Sequence, residues 1–164
     1  MENKKVKMRR RDREITDNEK IKEIIKACDC CRLGLNDNGK VYIVPLNFGF
    51  TEENGNYTFY FHGAKTGRKL DIIKQNNYAG FEFDTNHKIY TKGDKACDYT
   101  ARFQSIIGNG KVEIIEDSQE KMKALLELMK KNTGKSDWEF DERMLKAVCV
   151  FKLVVEEMSC KEHE

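Results

Sequence analysis

One segment of the chain carries residue types that together suit the binding of a phosphate. Residues 62–69 have the sequence HGAKTGRK and lie between a predicted strand and a predicted helix; we call them the basic loop. Small residues let the backbone approach an anion, and a helix start supplies free N–H groups. Arg68 can hold a phosphate through two hydrogen bonds, whereas cations at a helix start are unfavourable without an anion. The basic loop therefore predicts a phosphate site, with a solvated helix start as the alternative.

The only proline of the chain, Pro45, lies within a predicted strand over residues 41–50. Proline has no N–H to donate, so this strand is expected at a sheet edge or locally unpaired. The amides of Leu46 and Asn47 and the carbonyl of Val44 are then free for a ligand, and the Asn47 side chain adds a donor and an acceptor. A flat heterocycle with alternating N–H and C=O groups fits such an edge. A proline that guards an edge strand against aggregation is the alternative.

His62 is the one histidine of three that lies in a patterned segment. At a strand end beside the basic loop it could bind the ligand, donate a proton or ligate a haem iron. A structural histidine is the alternative. No serine, histidine and acid set and no paired carboxylates stand out, so an enzyme would depend on a cofactor.

The remaining pattern predicts the elements that position these residues. Strands are predicted over residues 31–36, 41–50, 57–62, 78–84, 99–116 and 148–155, and residues 85–98 are predicted to form a polar loop. Helices are predicted to open at residues 17–19 and 117–120 and to span residues 67–76 and 138–148. Gly108 and Gly110 predict a bulge in the long strand. The fold class is mainly β: a single domain over residues 1–164, a small antiparallel barrel of six to seven strands with two to four peripheral helices.

The composition argues against nucleic acid or membrane partners. The formal net charge is only +2, and no apolar run is long enough to span a bilayer or to form a signal peptide, so we expect a cytoplasmic protein. A basic arm over residues 1–14 and an acidic tail over residues 156–164 are interpreted as solvated termini. Cys28, Cys30 and Cys31 include one C-x-x-C spacing without a second pair, which favours a helix end that runs into a strand over a metal or redox site.

Several motifs together resemble those of the FMN-binding split-barrel proteins of the pyridoxamine 5′-phosphate oxidase-like superfamily. Within it, the chain is similar to the 5-nitroimidazole-resistance (Nim) family. The motifs are MRRRDREI at 8–15, VPLNFGF at 44–50, YFHGAK at 60–65 with GRK at 67–69, FE at 81–82 and SIIGNG at 105–110. The resemblance runs from about Met8 to Met129.

The resemblance implies a split barrel that forms a homodimer, with two FMN molecules in clefts between the subunits. The strand-edge contacts to the isoalloxazine ring would fall on Val44, Pro45, Leu46 and Asn47. The ribityl and phosphate contacts would fall on His62, Gly63, Ala64, Lys65, Gly67, Arg68 and Lys69. The bulged strand of the other subunit would contribute Gln104, Ser105, Ile107 and Gly108. These positions agree with the phosphate site and strand edge predicted from the residues alone.

Two departures from the family pattern bear on activity. Gly63 stands where relatives often carry serine, so one hydroxyl contact to the phosphate is missing. The additional substrate-phosphate arginines of true pyridoxamine phosphate oxidases have no clear counterparts, so vitamin B6 oxidation is not expected. In Nim relatives the histidine at the position of His62 is tied to the active site, which favours a catalytic role for it.

The expected function is therefore that of an FMN-dependent oxidoreductase that reduces small acceptors such as nitroaromatics or quinones, with His62 delivering a proton. Two alternatives stay open. One is a haem-binding split barrel with His62 as axial ligand, and the other is a flavin-binding or sensing module without turnover. No Gly-x-Gly-x-x-Gly segment for a nicotinamide is present, so the electron donor would bind transiently at the flavin face or be another protein.

Overall fold

Eight strands and four helices make up residues 8–164, the part of the chain that the computed structural model describes. The strands are β1 (Glu14–Ile15), β2 (Cys31–Asp37), β3 (Lys40–Leu46), β4 (Gly49–Glu53), β5 (Asn56–Gly63), β6 (Tyr78–Thr91), β7 (Tyr99–Ile115) and β8 (Cys149–His163). The helices are α1 (Asn18–Ala27), α2 (Arg68–Gln75), α3 (Ser118–Thr133) and α4 (Glu142–Ala147). The predicted mainly antiparallel fold with peripheral helices is confirmed.

The strands form one antiparallel sheet whose two edges are neighbours in sequence. Seven strands follow the order β3-β2-β6-β7-β8-β5-β4, and β1 pairs with the end of β8. The edge strands β3 and β4 are separated by only Asn47 and Phe48. The sheet therefore curls back on itself but stays open between β3 and β4, which is a split barrel. Pro45 lies opposite Arg32 of β2 on the edge strand β3, so its predicted edge position is confirmed.

The barrel interior is filled by aromatic side chains and closed by two helices. The ring centroids of Phe48 and Phe83 are 4.6 Å apart, and those of Phe59 and Phe83 are 4.8 Å apart. The first helix, α1, begins where the Asp17 carboxylate accepts a hydrogen bond from the Glu19 amide at 2.8 Å. Its buried face joins the same core as that of α2; the buried residues are Ile21, Ile24 and Ile25 in α1 and Leu70, Ile72 and Ile73 in α2.

The outer face of the sheet is half covered. Over β5, β7 and β8, helices α3 and α4 form a second apolar cluster with Tyr60, Ile115 and Val150. Over the other half, large apolar side chains remain exposed. We call this half the open face; its outward residues include Val41, Ile43 and Pro45 of β3, Arg32 and Gly34 of β2, Gly80 and Glu82 of β6, and Ile107 and Asn109 of β7. One row across it joins Pro45, Arg32, Glu82 and Ile107, since opposed residues share a face.

One predicted strand and one predicted loop differ from the observed elements. The predicted strand over residues 41–50 is two strands, because the chain crosses from one sheet edge to the other at Asn47 and Phe48 and buries Phe48 completely. The predicted loop over residues 85–98 is wrong. β6 continues to Thr91 and pairs with β7 from Tyr99 onwards, past an irregularity between Thr85 and Lys88. The end of β6 and the start of β7 form a two-stranded extension beyond the core. The sequence of this extension therefore lacks the alternation of apolar and polar residues that a half-buried strand shows.

The C-terminal predictions also need correction. The predicted solvated tail over residues 156–164 is wrong, because β8 runs to His163 and pairs with β7 as far as Phe103. The predicted helix over residues 138–148 is shorter, because Asp141 caps it and the first helical residue is Glu142. Trp138 lies before the helix, and its indole N–H donates to the Lys135 carbonyl at 3.1 Å.

The predicted N-terminal arm is described only in part. Lys4, Lys5 and Lys7 lie outside the described residues. A short 3-10 turn at Arg11–Arg13 precedes β1, and β1 pairs with β8. The Cys28 and Cys31 thiols are buried where α1 ends and β2 begins, as the helix-to-strand interpretation predicts. Within residues 8–164, no helix is both long enough and apolar enough to cross a bilayer.

Candidate functional site

The basic loop ends in a helix start that no side chain caps. Gly67 is the N-terminal flanking residue of α2, and its φ of 132° is one that glycine adopts readily. Neither Gly67 nor another residue of the described chain supplies a side-chain cap to this helix. Most of the loop is exposed, including Ala64, Lys65 and Thr66. The first N–H groups of α2 are therefore available to an anion.

Arg68 connects this helix start to the hairpin of β2 and β3. Its Nη2 and Nε lie 2.9 Å and 3.3 Å from the Asp37 carboxylate, and its guanidinium lies 4.4 Å from the centroid of the Tyr42 ring. Asp37 is the last residue of β2 and Tyr42 belongs to β3. The structure thus brings the basic loop to the β2–β3 hairpin, and the predicted ring contacts Val44, Pro45 and Leu46 lie further along the edge strand β3, with Asn47 directly after it.

The backbone of that edge is accessible although two of its side chains point inward. Val44 and Leu46 are half-buried and pack against the core, whereas Pro45 and Asn47 are exposed. Within residues 8–164, no strand pairs with the outer side of β3. The backbone groups along this edge therefore have no strand partner, and the binding of a flat ligand to them stays a prediction.

Lys69 occupies the space above Gly63. A Cβ added at Gly63 would lie 2.9 Å from Nζ of Lys69, and the close atom is the end of a flexible side chain. The absent serine side chain is therefore replaced in space by an ammonium group. This places a second cation, besides Arg68, at the basic loop.

His62 lies on the outer face of β5, opposite Val150 of β8. Tyr60, two residues earlier on the same face, is buried in the cluster with α3, but His62 is exposed. Its ring is thus accessible beside the basic loop, as a proton donor or an axial ligand requires.

The predicted residues of β7 are not next to the other site residues within one protomer. Gln104, Ser105, Ile107 and Gly108 are separated from β3 by β2 and β6, so the distance is about 14 Å across three strand spacings. Ile107 is 57% exposed and belongs to the open face. Gln104 accepts a hydrogen bond from Asn86 at 2.6 Å and donates one to Glu162.

Packing accounts for Gly108 without a ligand. A Cβ at this position would lie 2.5 Å from Cζ of Phe81 and would overlap the carbonyl oxygen of Glu157. The β7–β8 register shifts immediately afterwards, between Asn109 and Gly110. The predicted bulge is confirmed.

The sequence does not predict the two partners of Arg68. Asp37 lies between the predicted strands over residues 31–36 and 41–50, and Tyr42 lies within the second of them. An acid in a turn and an aromatic five residues later offer no local signal for a contact with residue 68, since the contact depends on how α2 lies against the hairpin.

Comparisons with known proteins identify the family of this chain. The pyridoxamine 5′-phosphate oxidase family matches residues 17–162. The structure is similar to that of a candidate 5-nitroimidazole antibiotic resistance protein from Bacteroides thetaiotaomicron VPI-5482, with 33% identity, coverage of 91% of this chain and 86% of that chain, and a TM-score of 0.78. No curated protein sequence matches the chain.

The fold also occurs in two more distant structures. One is the flavocytochrome Anf3 from Azotobacter vinelandii, at 20% identity, covering 96% of this chain and 72% of that chain, with a TM-score of 0.76. The other is the FAD and heme binding protein from Mycobacterium smegmatis, at 16% identity, covering 93% and 74%, with a TM-score of 0.78. Because the family match spans most of the chain and the fold agrees with it, this protein belongs to the pyridoxamine 5′-phosphate oxidase family.

Proposed function

We propose that this protein is a homodimeric, FMN-binding oxidoreductase that reduces small acceptors such as nitroaromatics. The main observation behind the proposal is the position of Arg68 at the uncapped start of α2. Its contacts with Asp37 and Tyr42 hold this cationic helix start against the hairpin that contains the edge strand β3. Family membership and the similarity to a candidate nitroimidazole resistance protein support the same function.

The described residues fit a flavin mononucleotide. Arg68 has five N–H donors, and Asp37 accepts from two of its nitrogens, so donors remain for a phosphate. Lys69 and the first amides of α2 face the same place, and the edge of β3 offers N–H and C=O groups to the ring. FMN, when bound, supplies the one- or two-electron redox chemistry that the side chains lack. The chain's own residues hold the cofactor, orient it and set the polarity around it.

His62 is the proposed proton donor to the acceptor. Reduction of a nitro group to a nitroso group takes up two electrons and two protons and releases one water. The imidazole is exposed on the outer face of β5 at the start of the basic loop, and the proposal places the acceptor within its reach. Replacing His62 removes the proposed proton source and one of the expected ribityl and phosphate contacts, while Arg68, Lys69 and the first amides of α2 remain to hold the phosphate.

The open face supports the homodimer. Val41 is 76% exposed and Ile43 is 62% exposed on the edge strand β3, and Ile107 of β7, three strand spacings away on the same face, is 57% exposed. Large apolar side chains grouped in this way mark interaction surfaces. A two-fold contact buries the same face on both subunits. The same contact would bring Gln104, Ser105 and Ile107 of one subunit towards the β3 edge of the other subunit. Within one protomer these residues are separated from β3 by β2 and β6.

The dimer proposal is tested by Ile43→Glu, with Met144→Glu as the matched control. Ile43 and Met144 are both exposed in the protomer, at 62% and 50%, so neither change should unfold it. Sedimentation velocity should show a monomer and weak FMN binding for Ile43→Glu, and a dimer with normal FMN binding for Met144→Glu. A dimeric Ile43→Glu variant with unchanged FMN affinity would refute this arrangement.

The oxidoreductase proposal is tested by anaerobic reoxidation of the dithionite-reduced, FMN-loaded protein with a nitroimidazole. His62→Ala should bind FMN as the wild type does and reoxidise more slowly, by about 10²-fold or more, which is the range for a lost proton donor. Loss of a haem spectrum on the same substitution would instead support the haem-binding alternative, for which His62 is the candidate ligand. A reduced flavin that no acceptor reoxidises would support a sensing module.

A further inference from the structure

A second cationic feature lies beside the basic loop. A cleft of about 210 Å³ opens between α2, the end of β7 and the start of β8. Lys65, Lys74 and Lys121 stand around it, and its apolar lining includes Leu70 and Ile115. The volume is below the range of about 300–1,000 Å³ that is common for whole ligand sites. The cleft therefore suits part of a cofactor rather than a complete one.

The lysines of this cleft are not neutralised by neighbouring acids. Within residues 8–164, neither Lys65, Lys74 nor Lys121 has a carboxylate oxygen within 4.0 Å of its ammonium nitrogen. Nζ of Lys121 lies 3.4 Å from the carbonyl oxygens of Leu145 and Val148, which orients it. Glu116 is the acid in the lining. Several positive charges around one apolar surface favour the binding of an anion.

The cleft is continuous with the basic loop. Gly63 lies opposite Cys149 in the β5–β8 pairing, and Cys149 is part of the cleft lining. Burial raises the pKa of the Cys149 thiol, and Glu116 raises it further, while Lys121, Lys74 and Lys69 act in the opposite direction. Lys69 also covers Gly63. A ligand with one phosphate at the helix start can thus place a second phosphate at the cleft.

We propose that this cleft is an adenylate site, which takes a phosphate at its lysine rim and a purine base against its apolar floor. The inference rests on the proposed flavin site and extends it. The adenylate can come from the second half of FAD, or from a nicotinamide dinucleotide that delivers electrons. Lys74 and Lys121 contact the added phosphate, and neither belongs to the flavin mononucleotide site described above.

The first test is calorimetric binding of AMP to the FMN-loaded protein. Lys74→Gln and Lys121→Gln should each weaken AMP binding by about tenfold, near the lower end for a lost charged hydrogen bond. Lys146→Gln, which removes an exposed lysine of α4 that lies outside the cleft lining, should leave AMP binding unchanged. Lys74 is exposed at the end of α2, so this variant should fold, and AMP affinity should fall with rising salt.

The source of the adenylate is separated by two further titrations. An FAD source predicts that FAD binds the apoprotein at least tenfold more tightly than FMN and that Lys74→Gln removes this preference. A nicotinamide source predicts equal FMN and FAD affinity, with NADPH binding to the FMN-loaded protein weakened by Lys74→Gln.

AMP binding that the lysine substitutions do not change, or no AMP binding at millimolar concentration, would overturn the inference. Failure of the flavin proposal looks different, because the apoprotein would then bind no FMN, whereas AMP titrated into the apoprotein would still bind and would still respond to Lys74→Gln.

Discussion

Arg68→Gln should weaken FMN binding far more than it weakens the fold. In the absence of ligand, Arg68 makes an exposed ion pair with Asp37, with side-chain exposures of 58% and 26%, and a cation–π contact with Tyr42. An exposed ion pair contributes about 0.2–1 kcal/mol and an exposed cation–π contact about 0.5–1 kcal/mol. The free energy of unfolding should therefore fall by about 1 kcal/mol.

The expected loss of affinity is larger because the phosphate is charged. A hydrogen bond to a charged group contributes about 1.5–3 kcal/mol, and glutamine can restore only a neutral one. A net loss of about 2 kcal/mol corresponds to a roughly 30-fold rise in the dissociation constant. Because the phosphate is the group affected, the affinity for riboflavin, which lacks it, should change much less.

The assay is fluorescence titration of the apoprotein with FMN and with riboflavin, together with urea unfolding. Asp37→Asn is the matched control, because it breaks the same ion pair but keeps the cation. Its FMN affinity should stay within about threefold of the wild type. If folded Arg68→Gln bound FMN as tightly as the wild type, the phosphate would not lie at the start of α2 and the site assignment would be wrong.

Three further predictions concern the barrel and its titrating groups. Gly108→Ala should destabilise the protein to urea by about 1–3 kcal/mol, because the new Cβ would meet Phe81 and a backbone carbonyl, whereas Gly80→Ala, with 3.7 Å of space, should cost much less. At pH 8 a thiol reagent should modify exposed Cys97 in the folded protein but reach Cys28 only on unfolding, since burial raises the pKa of Cys28 to about 12. Burial also raises the pKa of Tyr57 to about 12. The unfolded chain releases this proton near pH 10, so stability should fall as the pH rises from about 10 to about 12, and Tyr57→Phe should abolish that part of the slope in chemical unfolding measured against pH.

Local signals in the sequence predicted much of the fold. Asn38 and Gly39 between β2 and β3 are residue types that favour a tight turn, and they have the positive φ values of 51° and 87° that such a hairpin needs. The caps Asp17 and Asp117 were visible as acids before helical patterns, and both accept backbone hydrogen bonds. Pro45 predicts an edge position because proline has no backbone N–H and therefore cannot donate a hydrogen bond to a neighbouring strand in any sheet.

Features that depend on distant neighbours were not predictable in the same way. The end of β6 is polar and lies beyond the core, and the end of β8 is largely polar around the buried Cys160, so their strand character comes from pairing with β7 rather than from alternation. The contact of Arg68 with Tyr42 joins elements that are 26 positions apart and needs the packing of α2. The cleft around Cys149 assembles lysines from the basic loop, α2 and α3, which no single motif contains.

The most direct test of flavin binding is the absorbance spectrum of the freshly purified protein, recorded again after addition of FMN and then of haemin, followed by gel filtration. We expect shifted flavin bands that stay with the protein through the column and that the Arg68→Gln variant loses. A protein that retains no flavin but gives a Soret band dependent on His62 would contradict the flavin site and identify a haem protein of the same fold.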